Sequence, residues 1–169
     1  MLRVSTLGIG GIDHFNTEII QSIAGVELTP VPFKGGESVI TALMGGHVEV
    51  TFDAFGKILP HVEAGKLRIL LISKKMPGYE KIPTATELGY KQDLLSTWFA
   101  FFAPAGLPEE VKKTLVSAVQ RAILNPELEA KALKMGYVPG YRSPADLSRL
   151  VGADYAVASA IARKIGLQK

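Results

Sequence analysis

There is no cysteine among the 169 residues. Disulfide frameworks, thiolate metal sites and cysteine nucleophiles are thereby excluded, while the compartment is left open. No apolar run approaches the ~20 residues that cross a bilayer, and no basic stretch followed by an apolar one opens the chain, so neither a membrane span nor a signal sequence is read here. Concentrated charge of one sign is also lacking. The 19 Lys and Arg stand against 16 Asp and Glu, net +3, and no window gathers them into a phosphate-tracking surface. Nucleic acid is therefore not an expected partner. His14, His47 and His61 share no helical pair spacing with one another or with a carboxylate motif, so neither a metal nor a cofactor is expected. Internal repeats and low-complexity segments are absent.

What is present has the composition of a folded chain, 47% hydrophobic and 21% charged, with a length suited to one core. Strand and helix patterns alternate from the start. Leu2 to Thr6 reads as a strand, followed by the glycine turn Leu7-Gly8-Ile9-Gly10-Gly11. Phe15, Ile19, Ile20 and Ile23 then recur at helical spacing, with Gly25 as a stop. Val26 to Phe33 predicts a second strand, Lys34-Gly35-Gly36 a turn, and Ser38 to Met44 a short helix. His47 to Phe52 alternates like a third strand, and a helix follows from Phe55 to Ala64. Leu67 to Ile72 is a continuous apolar run, as expected of a strand buried on both faces. This order predicts an α/β fold with a largely parallel sheet and right-handed crossovers.

Pro83 to Gly89 reads as one helical turn after a threonine cap, and Ser96 to Ala103 as an aromatic strand assigned to core and hinge, ended by Pro104-Ala105-Gly106. From Pro108 onward the chain reads as helical. Val111, Leu115, Val119, Ala122 and Ile123 form one apolar stripe, Asn125-Pro126 starts the next helix, and Ser143-Pro144-Ala145-Asp146 the last.

The glycine turn at Gly8, Gly10 and Gly11 joins a strand to a helix, where free main-chain N–H groups and the helix dipole suit a carboxylate or phosphate. It is not a dinucleotide fingerprint, because the third glycine of that spacing would fall at Asp13, and it lacks the ending of a P-loop. A turn needed only for its geometry is the other reading. Lys34-Gly35-Gly36 repeats the arrangement and adds an ammonium group. Both turns are expected at the carboxyl edge of the sheet, where ligands of open parallel sheets bind. Asp53, just after the third strand, either faces a ligand there or caps the next helix. His14 either orients the glycine loop or packs as a polar group. Ser5, Thr6, Asp13 and His14 make no credible nucleophile and base set, since no nucleophile elbow is present.

Six segments in order carry a resemblance. They are Ser5 to His14, Val31-Pro32-Phe33-Lys34-Gly35-Gly36, Gly45 to Asp53, Leu59 to Arg68, Ile82 to Tyr90, and Trp98 to Gly106. Together they resemble the tripartite tricarboxylate transporter receptors, or Bug-type solute-binding proteins, across nearly the whole chain. The resemblance implies a type II periplasmic-binding-protein-like fold in which two domains clamp a small carboxylate and deliver it to membrane transporter subunits, outside the cytoplasm and without catalysis. It implies that Thr6, Gly8, Gly10, Gly11, His14, Lys34, Gly35, Gly36 and Asp53 line one wall. Where the family has a small hydroxyl residue, this chain has Gly11, which removes one side-chain donor. The family's N-terminal region, with its signal and opposite wall, has no counterpart in this chain. Residues 1–106 are then expected to form the ligand-binding domain, and 107–169 a helical segment that in the family packs on the first domain. Self-association through those helices is one expected way to cover their apolar stripes. A small α/β enzyme acting on an anion, and a cytoplasmic metabolite sensor, remain the alternatives.

Overall fold

The computed structural model describes residues 2–167. Three strands, β1 (Leu2–Thr6), β2 (Leu28–Pro32) and β3 (Val50–Thr51), make a parallel sheet in the order β2-β1-β3. The register pairs Thr6 with Pro32 and Ser5 with Thr51, so all three strands end on one edge. Crossovers run through α1 (Ile12–Ala24) and α2 (Gly36–Met44), and α3 (Phe55–Glu63) follows β3. Val4, Val48 and Ile19 are at most 2% exposed and mark the core between sheet and helices. The α/β fold expected from the alternating pattern is present.

Local signals account for the helix ends. α1 stops at Gly25, left-handed at φ 64°, whose N–H donates to the Gln21 carbonyl. In the C-terminal part α4 (Glu109–Ile123) is followed by α5 (Pro126–Lys134) and α6 (Pro144–Lys164), and the last two each carry proline in the first turn behind a side-chain cap. Asn125 accepts from the Glu127 and Leu128 N–H groups, and Ser143 from that of Asp146. Thr84 and Glu87 exchange bonds between side chain and main chain across the start of the 3-10 turn Thr86–Leu88, whose cap is Ala85 and not the expected threonine.

Two expected strands are corrected. Leu67 to Ile72 pairs with no strand and is only half-buried, with Leu70 57% exposed. Its Ile72 N–H instead donates to the Pro83 carbonyl at 2.9 Å. Ser96 to Ala103 also pairs with no strand, and its assignment to the core fails: Phe99 is 79%, Phe101 79% and Phe102 77% exposed. Both runs have the composition of a strand, but a strand exists only when a neighbour accepts its hydrogen bonds, and the described residues supply none. The third strand is real but shrinks to Val50–Thr51.

Parts of the helical C-terminal segment reach the α/β portion. α6 packs on α1, and the Trp98 indole N–H donates to Asp154 in α6 at 2.7 Å. Gly56 in α3 and Gly136 after α5 meet backbone to backbone, since a Cβ on Gly136 would lie 2.5 Å from the Gly56 nitrogen. By contrast α4 buries no residue, leaving Val111 and Leu115 exposed.

At the opposite end of β1, Arg3 and Glu49 pair through side chain and main chain, the Arg3 N–H reaching Glu49 at 2.7 Å. The Arg3 side-chain hydrogen bonds, then its main-chain N–H, hold the Glu49 carboxyl at about 2 instead of the usual 4.5. A carboxyl depressed in the folded state adds stability above its unfolded value and loses it as pH falls towards the folded one. Stability should therefore drop between pH 4.5 and about 2, and Arg3→Met should flatten that part of the profile. Both groups face solvent, so the effect is small and fades with salt. Urea unfolding at stepped pH measures it, and an unchanged slope in Arg3→Met would refute the assignment.

Candidate functional site

The carboxyl edge of the sheet gathers the expected site residues. β1 leaves it at Thr6, which is buried, and β2 at Phe33, whose N–H donates to the Thr6 carbonyl at 2.8 Å. β3 is tied to β1 by the Ser5 and Thr51 hydroxyls at 2.7 Å and leaves the edge towards Asp53. Three chain exits therefore stand side by side, the first glycine loop in the middle.

That loop is held from within α1. Asp13, in the first helical turn and 5% exposed, accepts the Leu7 N–H, and His14 Nδ1 accepts the Gly10 N–H at 3.1 Å. His14 thus takes the orienting role. Gly8 at φ 130° and Gly10 at φ 85° adopt backbone that side chains rarely allow, so the loop needs glycine at both. Gly11 occupies the cap position without a side-chain cap bond, and a Cβ there would lie 2.5 Å from Asp13 Oδ1. Gly11 is thus the residue compatible with the Asp13 latch. The first-turn N–H groups of Ile12, Asp13 and His14 have no acceptor among the described residues.

The second turn repeats this pattern. Gly35 caps α2 at φ 151°, Ser38 Oγ donates to the Gly35 carbonyl at 2.7 Å, and Lys34 is exposed. Glu37 stands in the same first turn and offsets part of the positive field of the helix end. Asp53 does not cap α3, whose cap is Ala54. Its Oδ1 accepts the neighbouring Ala54 N–H at 2.8 Å, and its Oδ2 pairs with Lys57 at 2.9 Å. Lys57 Nζ also donates to the Gly36 carbonyl at 2.7 Å, so it joins the exits of β2 and β3.

Lys57 and Asp13 are the two residues that sequence reasoning missed as parts of the site. The four-residue spacing of Asp53 and Lys57 was a usable signal for the first, and an acidic residue in the first turn after a glycine loop for the second. An open recess of about 300 Å³ adjoins the Gly10 side, lined by Ile12, Phe15, Trp98 and Asp154 among others; Lys34, Gly35, Gly36 and Asp53 lie outside it. Among the described residues no group of three or more His, Asp or Glu could hold a metal ion. No described helix is long and apolar enough to cross a membrane.

Main-chain donors of two glycine turns, the lysines Lys34 and Lys57 and the carboxylate of Asp53 thus stand at one sheet edge. The family profile described as tripartite tricarboxylate transporter family receptor matches residues 2–167. A UPF0065 protein of Bordetella pertussis is 28% identical over 169 residues, 99% of this chain and 52% of the relative. Among solved structures, R. palustris Rpa4515 with adipate superposes with a TM-score of 0.81 at 30% identity, over 98% of this chain and 56% of that one. MatC from Rhodopseudomonas palustris with bound malate gives 0.73 at 25%, over 95% of this chain and 56% of that one. The chain spans about half the length of each of these three proteins. With a match from the first strand to the end of the described helices, the chain belongs to the tripartite tricarboxylate transporter receptor family.

Proposed function

We propose that this chain contributes one wall of a receptor cleft for a small carboxylate, which the receptor delivers to membrane transporter subunits outside the cytoplasm. The observation that carries this reading is the carboxyl edge itself. Two adjacent strands, locked together by the bond from Phe33 to Thr6, each run through a glycine turn into a helix whose first N–H groups lack acceptors among the described residues. Such donors hold a carboxylate by main-chain hydrogen bonds and helix-end charge, without acid or base chemistry. The adipate in Rpa4515 and the malate in MatC support a dicarboxylate as the ligand class. Thr6, Gly8, Gly10, Gly11, His14, Lys34, Gly35, Gly36 and Asp53 form the wall in this reading.

The ligand-binding part comprises residues 1–106, and residues 107–169 pack on a second domain that supplies the opposite wall. Where no such domain covers it, the exposed stripe of α4 is a place for self-association. One wall buries less of a ligand than a closed cleft does and leaves it hydrated, which weakens affinity. Titration of the chain with adipate or malate should therefore give weak or undetectable heats in calorimetry. Amide NMR at millimolar adipate should still show a response, centred on Leu7 to His14 and Lys34 to Ser38, and its absence would refute the proposal. Tight, saturable binding, or a response confined to the far end of the sheet, would refute the proposal.

A further inference from the structure

Lys57 stands apart among the charged side chains of the chain. The other ion pairs lie on the surface with at least one partner side chain more than 40% exposed, whereas Lys57 and Asp53 are 29% and 16% exposed. Its ammonium group touches two elements at once, Asp53 Oδ2 at 2.9 Å and the Gly36 carbonyl at 2.7 Å. Gly36 in turn leaves just enough room for it, because a Cβ at that position would lie 2.6 Å from Lys57 Nζ. The steric and electrostatic observations thus point to the same three residues.

We propose that Lys57 is a positioning residue of the carboxyl edge, tethering the Gly35-Gly36 turn to the end of β3 and cancelling the charge of Asp53. The tether fixes the direction of the first-turn N–H groups of α2, beside the bonds from Ser38 Oγ to the Gly35 carbonyl and from Thr41 Oγ1 to the Glu37 carbonyl. The cancellation matters because an uncompensated carboxylate beside those donors repels an incoming anion. The lysine achieves both from one atom, with its two acceptors 21 and 4 residues away in sequence. The further role as a determinant of anion acceptance rests on the carboxylate reading above; the tether does not.

Amide NMR on the complete chain separates the two. In Lys57→Met, order parameters of Gly35, Gly36 and Glu37 should fall from the rigid range near ~0.85 to below ~0.6, with β1 unchanged. Lys57→Arg, which keeps a cationic donor, should restore them. With adipate as the probe at millimolar concentration, shifts at Gly36 to Ser38 should be lost in Lys57→Met and return in Lys57→Arg. Unchanged order parameters in Lys57→Met would overturn the tether. A full adipate response in Lys57→Met would overturn the role in anion acceptance. If the unsubstituted chain shows no adipate response at all, the carboxylate reading and the role in anion acceptance both fail, and the order parameters still decide the tether. Should Lys57→Met not fold, Asp53→Ala removes the acceptor at the end of β3 and must loosen the same three residues, or the tether is wrong.

Discussion

Replacing Gly56 by alanine should cost about 1–3 kcal/mol of stability, the usual penalty for forcing a methyl group into a filled space. A Cβ on Gly56 would overlap the Met135 carbonyl oxygen and come within 2.8 Å of the Met135 carbonyl carbon. Both are backbone atoms, which cannot swing aside as the end of a side chain can. Gly136→Ala should cost more, because it adds a methyl group at φ 77° to the same crowding against Gly56. Gly65→Ala separates the two effects. Its φ is 68° and nothing lies within 4 Å of a Cβ there, so it should show only the conformational penalty, about 1 kcal/mol. Urea unfolding of the three variants gives the ranking. A Gly56→Ala chain as stable as the unsubstituted one would mean that α3 and the turn after α5 do not touch.

Asp13→Ala should rank next, with a loss of about 1.5 kcal/mol, the low end for a hydrogen bond to a charged acceptor, because the donor is only part-buried. The donor is the Leu7 N–H, and Asp13 holds it from the first turn of α1 at 5% exposure. Asp13→Asn keeps an acceptor oxygen but no charge, so its loss should be smaller. The second consequence is functional. Without the latch the loop from Leu7 to Gly11 keeps the Gly10 to His14 bond and the Phe15 to Gly11 bond at its helix end, and its amides should broaden or shift while those of β2 stay in place. Loss of stability without any change in that loop would count against Asp13 as its anchor.

How far the sequence can be read depends on how local each signal is. The ends of α1, α5 and α6 rest on Gly25, Asn125 and Ser143, residues whose effect is complete within a few positions. The first two strands are legible for a related reason, since each runs straight into a glycine turn and a helix. Leu67 to Ile72 and Ser96 to Ala103 mislead because strand formation depends on a partner, and composition says nothing of whether one is in reach. In the site, the glycine turns announce themselves, and His14 stands close enough to Gly10 to be suspected. Lys57 does not, because one of its two acceptors lies 21 residues upstream and becomes its neighbour only when β2 and β3 flank β1.

That strand order also bears on how the chain assembles. The middle strand is the earliest to be synthesised, and each neighbour arrives only after a helix has been threaded between them. Until Thr51 has left the ribosome, Ser5 lacks its partner, and one flank of the central ribbon stays open to whatever else is in solution. Pairing across such separations requires closing long loops before any contact rewards it, which slows folding compared with hairpins. The arrangement that sets three exits on a common rim therefore makes the nascent polypeptide dependent on late-arriving segments for the protection of its own centre.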